Sequence, residues 1–269
     1  MKRPNKPRMT RLAYVNLVRS IGLSDFKVKY NGSILGYFWT LAKPLLLFGI
    51  LFVVFSKFLR IGSNTPYYAI QLLLGIIIWN YFSECSVTSM RSLVDKGGLL
   101  RKIYFPREII ILASSLTTFM TMLLNLAVVP VFMAIKHVPW RWESVLAVPL
   151  LLELFLFTTG LSLLLAALYV RFRDIGHIWE VSLQGLFYAT PIFYSLSLIP
   201  SRYQGFLMAN PIAQIIQDLR ASVVTPQALT AWDVIKNMLA LTPYLLVLVV
   251  LWLGISYFRR VSKSFAEEV

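Results

Sequence analysis

Six stretches of the chain are apolar for long enough to cross a bilayer, and the polar residues are confined to the segments between them. An α-helix rises about 1.5 Å per residue, so about 30 Å of hydrocarbon takes roughly 20 residues whose backbone hydrogen bonds close within the helix. The stretches run near 36–55, 67–83, 109–135, 145–170, 181–198 and 237–258. Only Lys43 in the first and Glu153 in the fourth place an ionisable side chain well inside one. The pattern predicts an all-α integral membrane protein with six transmembrane helices.

Two further regions have patterns of their own. Residues 10–24 carry Tyr14, Leu17, Val18 and Ile21 at i, i+3, i+4 and i+7, with Asn16, Arg19 and Ser20 opposite. That spacing predicts an amphipathic helix lying in the membrane interface; a basic tail without fixed shape is the alternative. Residues 199–236 are too polar for another span and too apolar for a plain loop, and Pro200, Pro211 and Pro226 cut them into short pieces. Short re-entrant helices before the last span fit. The expected organisation is a tail and interface helix over 1–35, a transmembrane domain over 36–260 and a C-terminal tail over 261–269.

Charge orients this set. An even number of spans puts both termini on one side, and the segments on that side hold 18 Lys and Arg residues against seven on the other. The positive-inside rule makes the richer side, with both termini, cytoplasmic. The start of the chain, with Lys2, Arg3, Lys6, Arg8 and Arg11, has no apolar core of a cleaved signal.

Composition agrees: 58% of residues are hydrophobic and 14% charged, and mean hydropathy is +0.69. A net charge of +14 beside hydrophobic runs marks a membrane face rather than a nucleic-acid reader. Candidate chemistry is sparse. Cys85 is the single cysteine, which excludes an internal disulfide. The two histidines, His137 and His177, fall on opposite sides, and there is no phosphate loop of the Gly-x-x-x-x-Gly-Lys-Ser/Thr type. The chain is therefore not expected to be an enzyme or to carry a metal. Glu153 is the one acid deep in a span; an ionised acid there costs roughly 2.5–3.5 kcal/mol, so it must face protein or water. A structural hydrogen bond and a transport role both fit it.

Five short motifs in order then narrow the reading. Asp25-Phe26-Lys27-Val28-Lys29-Tyr30-Asn31-Gly32-Ser33-Ile34-Leu35-Gly36-Tyr37-Phe38-Trp39, closing with Pro44, leads into the first span. Phe105-Pro106-Arg107-Glu108 opens the third, Arg171-Phe172-Arg173-Asp174-Ile175 ends the fourth, Thr190-Pro191-Ile192-Phe193-Tyr194 lies within the fifth, and Asn210-Pro211 precedes a short helix. Together they resemble the permease subunits of polysaccharide-exporting type-two ABC transporters, which export O-antigen, teichoic acid, capsule or galactan; the resemblance implies a fifth span broken at its proline. Gly32 and Gly36, four apart, also suit close helix approach, and Pro106 with Glu108 suits a helix start.

The resemblance implies a multi-pass protein of the bacterial or archaeal plasma membrane, working as a homodimer with two separate ATP-binding cassette subunits. ATP and Mg would sit in those subunits, with no cofactor in this chain and no nucleic acid among its partners. Its cargo would be a lipid-linked glycan. Lys27 and Lys29 would receive the carrier's phosphates, and Tyr37, Phe38, Trp39, Phe187, Tyr188, Phe193 and Tyr194 would line the path, since aromatic faces offer sugar rings broad contact. Arg91, Lys96, Leu99, Leu100, Arg101, Lys102 and Tyr104 would form the coupling segment against the ATPase. Pro200, Asn210 and Pro211 would belong to the outer gate. An exporter of a small amphiphile with the same architecture is the alternative; a membrane transferase and a passive channel are more distant ones.

Overall fold

The structure is a computed structural model that describes residues 10–30, 36–61, 65–98, 106–235 and 238–262. Among these residues there are helices and turns and no strand. In chain order the α-helices are α1 (Arg11–Tyr30), α2 (Gly36–Phe52), α3 (Tyr68–Asp95), α4 (Glu108–Leu126), α5 (Val128–Ile135), α6 (Ala147–Arg171), α7 (Ile175–Ala189), α8 (Ser201–Met208), α9 (Pro211–Leu219), α10 (Ala231–Val234) and α11 (Thr242–Val261). Five helical stretches are long and apolar enough to cross a membrane: Phe38–Phe58, Tyr68–Asp95, Glu108–Ile135, Trp142–Arg171 and Met238–Val261.

The fifth apolar stretch, 181–198, is not one continuous helix. It starts at Ile175, six residues ahead of the expected 181, and its helix stops at Ala189. Fifteen residues span only about 22 Å. Thr190 turns to φ −90°, ψ 136°, the extended state that a following proline imposes on its neighbour. The second span differs in the other direction, continuing to Asp95 instead of ending near 83. Its polar lower part stays helical because its hydroxyls turn back onto the helix's own carbonyls: Ser86 donates to Ser83 O at 3.0 Å and Thr88 to Glu84 O at 2.8 Å.

Helix α3 is the centre of the bundle, buried at positions spread from Tyr68 to Leu93, with α2, α4, α6 and α7 packed around it. A helical stretch apolar on nearly every face has to be enclosed or face lipid, and the part of α3 from Ile70 to Phe82 is enclosed. Lipid tails are as apolar as leucine, so helix association rests on close packing and on hydrogen bonds between helices. The tightest approach joins α6 to α11. A Cβ built on Gly254 would lie 2.1 Å from Gly160 O, and one on Gly160 would lie 2.6 Å from Leu251 Cα. Gly32 of the expected Gly32/Gly36 pair lies outside the described residues.

The N-terminal amphipathic helix forms as α1, and Tyr14, Leu17, Val18 and Ile21 are its half-buried face. That face lies along α4, with the two helices running in the same direction. Gly22 sits against Ala113 and Leu116, Thr117 Oγ1 donates to Gly22 O at 2.9 Å, and Lys29 reaches Thr121 at 3.4 Å.

Between the broken stretch and α11, the prolines mark the pieces as expected. Pro200 caps α8 and Pro211 is the first residue of α9, where its missing N–H has no partner to lose. Asn210 caps α9 by accepting from Ile212 N at 3.0 Å.

Candidate functional site

Two positions flagged by sequence, Lys29 and Trp39, meet in one cavity between α1, α2, α3 and α4. It has a volume of about 690 Å³ and is also lined by Lys43, Asn80, Glu84 and Asn125. Lys29 Nζ pairs with Glu84 Oε1 at 2.6 Å. Lys43, the ionisable residue of the first span, lines the same cavity and has no ion pair among the described residues. The lining thus holds two cations and one carboxylate. Asn125 adds a buried carbonyl oxygen with no hydrogen-bond partner among the described residues. Lys27 is exposed and does not line the cavity, because two residues of helix turn it away from Lys29.

Above this cavity an aromatic ladder climbs α2. Phe48 stacks on Phe52 at 5.7 Å, and Phe55 meets Phe193 at 4.5 Å. Phe193 in turn touches Phe187 at 5.8 Å, Tyr188 at 6.0 Å and Tyr194 at 5.1 Å. Phe187 also meets Trp79 of α3 at 5.7 Å. Members of the expected path therefore differ in access: Phe193 is buried, Phe187 and Tyr194 are half-buried, and Tyr188, Phe38 and Trp39 are exposed. Phe38 and Trp39 pack edge to face at 5.9 Å. The side chain of Tyr37 lies outside the described residues.

The break after Ala189 is held by a residue that sequence reasoning treated only as an outer positive charge. Arg220, in the wide turn Arg220–Val224 that follows α9, is 3% exposed. Its guanidinium donates to the carbonyls of Gln71, Pro191 and Ile192. Tyr68 Oη donates to Phe193 O at 2.6 Å. A proline-broken helix frees carbonyls that hydrocarbon cannot solvate, and these two side chains satisfy three in succession. Gly75 makes room: a Cβ there would lie 3.1 Å from Arg220 Nη2 and 3.2 Å from Ile192 O. From the other side, Asn210 Nδ2 reaches Thr190 Oγ1 at 3.5 Å, tying the start of α9 to the break. No local pattern marks Arg220 for this role, because its acceptors lie far from it along the chain.

Glu153 faces a second cavity, of about 640 Å³, with Asp218, Tyr244 and Trp232 around it. Asp218 accepts from Gln214 Nε2 at 2.6 Å and Tyr244 Oη at 3.1 Å. Glu153 Oε1 is buried without a hydrogen-bond partner among the described residues. Asp218 was not singled out from sequence because a lone acid in a short segment gives no periodic signal.

Of the coupling residues, Leu99, Leu100, Arg101, Lys102 and Tyr104 lie outside the described residues. The other two are ion-paired to different helices: Lys96 to Asp25 of α1 and Arg91 to Glu180 of α7. The lower end of α3 is thereby joined to both the amphipathic helix and the broken one. Pro106 precedes α4, and its carbonyl accepts from Ile109 N at 3.1 Å. Of the prolines expected in the outer gate, Pro200 is exposed, whereas Pro211 is buried.

A family model described as ABC-2 type transporter matches residues 16–224. The chain is similar to the O-antigen export system permease protein RfbA of Klebsiella pneumoniae, 28% identical over 244 residues, covering 90% of this chain and 91% of that protein. It is 29% identical over 259 residues to the protein of the same name from Myxococcus xanthus, covering 95% and 96% of the two. The polysialic acid transport protein KpsM of Escherichia coli is 24% identical over 259 residues, covering 92% and 94%.

Proposed function

The chain belongs to the ABC-2 type transporter family, and from that membership we propose that it is the membrane subunit of an ATP-driven exporter that carries a lipid-linked polysaccharide outward. Relatives named for O-antigen export and polysialic acid transport support a polysaccharide as cargo. ATP would be hydrolysed on a separate subunit. The protein sits in the plasma membrane with both termini in the cytoplasm, and the broken stretch completes a sixth crossing.

The observation that carries this reading is the cavity shared by Lys29, Lys43 and Trp39 at the foot of the aromatic ladder. Its excess of cations attracts the phosphates of a lipid carrier, and Trp39 offers a face to the first sugar. The ladder from Phe48 to Phe193 continues the path, with Tyr188 exposed beside it. Exposed apolar side chains on α2 (Leu46, Ile50) and α7 (Ile178, Val181) form the faces across which a second copy would complete the channel. Closure of the ATP-binding subunits would act on the 92–104 segment, and the ion pairs of Arg91 and Lys96 would pass that motion to α7 and α1.

The test is display of glycan on cells whose only copy of the gene carries Lys29→Ala together with Lys43→Ala. Surface glycan is expected to fall about tenfold, the effect of losing about 1.4 kcal/mol of binding, at normal membrane levels of the protein. Undiminished display would instead favour a small amphiphile as the cargo.

A further inference from the structure

A smaller recess opens at the outer end of the protein, between the start of α3, the turn after the broken stretch, α9 and the loop that follows it. Its volume is about 140 Å³, and Gln71, Ser195, Ser197, Gln217, Thr225 and Gln227 contribute to its lining. The lining is made of amides, hydroxyls and a few apolar side chains, with no Asp, Glu, Lys or Arg among it. Gln217 is 2% exposed, and its Nε2 has no hydrogen-bond partner among the described residues. A buried amide donor left without an acceptor is unfavourable unless something enters to accept from it.

The other polar groups are already set in place. Gln71 Nε2 donates to Pro66 O at 2.8 Å, Ser195 and Ser197 share a hydrogen bond at 2.8 Å, and Gln227 N donates to Thr225 Oγ1 at 3.4 Å. Amides and hydroxyls both donate and accept, which is the pattern that neutral polyols match. An anionic sugar would lose its hydration with no cation to compensate. The space equals that of on the order of five water molecules, close to the bulk of one pyranose ring. Ser197 and Gln227 are exposed at the rim while Gln71, Gln217 and Thr225 are buried, so the recess has an open mouth and a fixed floor. Ser195 in its lining directly follows Tyr194, the last aromatic residue of the broken stretch.

We propose that this recess is an outer docking subsite for one uncharged sugar ring of the emerging glycan, with the Gln217 amide donating to a ring hydroxyl. The proposal rests on the reading of the protein as a polysaccharide exporter. Passage of each ring through such a subsite would hold the chain at the exit between power strokes.

Three measurements on cells test it. Deleting the gene addresses the export reading alone: unchanged surface glycan would remove that reading before the subsite is considered. With export established, Gln217→Leu and, separately, Ser195→Ala with Ser197→Ala are each expected to lower surface glycan severalfold at normal protein level. Undiminished glycan in the serine pair overturns the proposal even if Gln217→Leu fails to fold. For contact, Gln227→p-benzoylphenylalanine, illuminated during export, is expected to give a glycan-staining adduct of the permease that Gln217→Leu weakens severalfold. An absent adduct, or one of undiminished strength, identifies the recess as a pocket of structural water and overturns the proposal.

Discussion

Arg220 Nη1 lies 2.9 Å from the carbonyl oxygen of Pro191, so a charge from the short turn Arg220–Val224 sits inside the gap left by the broken helix. The break is a consequence of Pro191, and the arginine makes it tolerable. Removing the guanidinium would leave the carbonyls of Pro191 and Ile192 without this donor, each unsatisfied group costing about 1–3 kcal/mol. Arg220→Ala is therefore expected to lower the thermal midpoint of the purified protein sharply and to abolish accumulation in membranes. Arg220→Lys, with one compact charge in place of a planar fork, should recover only part of it. A melting curve of Arg220→Ala that overlays the parent's would refute this account of the break.

The crossing of Gly160 and Gly254 sets a second expectation. With a Cβ on Gly254 only 2.1 Å from a backbone oxygen, Gly254→Ala forces α6 and α11 apart, and overpacking of this kind costs about 1–3 kcal/mol or more. Gly185, whose added Cβ meets nothing within 4 Å, is the control, since Ala is the better helix former there. Thermal unfolding in detergent should rank the variants with Gly185→Ala at or above the parent and Gly254→Ala well below. The reverse order would mean that the two helices are not in register as described.

The ion pairs at the foot of α3 make a prediction in which stability and function separate. Lys96 and Asp25 keep 29% and 33% of their side-chain surface exposed, and half-exposed pairs contribute no more than about 1 kcal/mol. Asp25→Asn should leave the melting temperature nearly unchanged yet reduce export per ATP hydrolysed, because the link from α3 to α1 is lost. Exchanging the charges, Asp25→Lys with Lys96→Asp, is expected to restore much of it. Failure of the exchange to exceed the single variants would show that the pair carries no coupling.

Long apolar runs were legible in the sequence because hydrocarbon thickness dictates their length; the break at Pro191 was implied by the family resemblance, and its local cause is that proline acts on its immediate neighbours. The polar end of α3 was misjudged. Glu84, Ser86, Thr88, Ser89 and Arg91 lie beyond the expected span end near 83, yet the hydroxyls of Ser86 and Thr88 bond back to the helix and the charges of Glu84 and Arg91 find partners on α1 and α7, which only the fold brings near. The same limit hid the partnership of Lys29 with Glu84, 55 positions apart, and the role of Arg220, whose acceptors Gln71 and Pro191 are far from it in sequence. Local chemistry was readable along the chain, and pairings across the bundle were not.

Glu153 and Asp218 line one cavity but stand differently within it, which gives the last prediction. Asp218 accepts from Gln214, Tyr244 and the backbone N–H of Ala231, so its oxygens organise the junction of α9, α10 and α11. Glu153 leaves Oε1 buried with no hydrogen-bond partner among the described residues, and a carboxylate in hydrocarbon is costly by roughly 2.5–3.5 kcal/mol when ionised. Glu153→Gln keeps the shape and removes the charge, so it should hold or raise the thermal midpoint. Asp218→Ala takes the shared acceptor from three donors and should lower it by several degrees. Export measured alongside separates structure from transport: if Glu153 serves only packing, Glu153→Gln exports as the parent does. A variant that melts later but displays severalfold less glycan would assign the carboxylate a part in moving cargo.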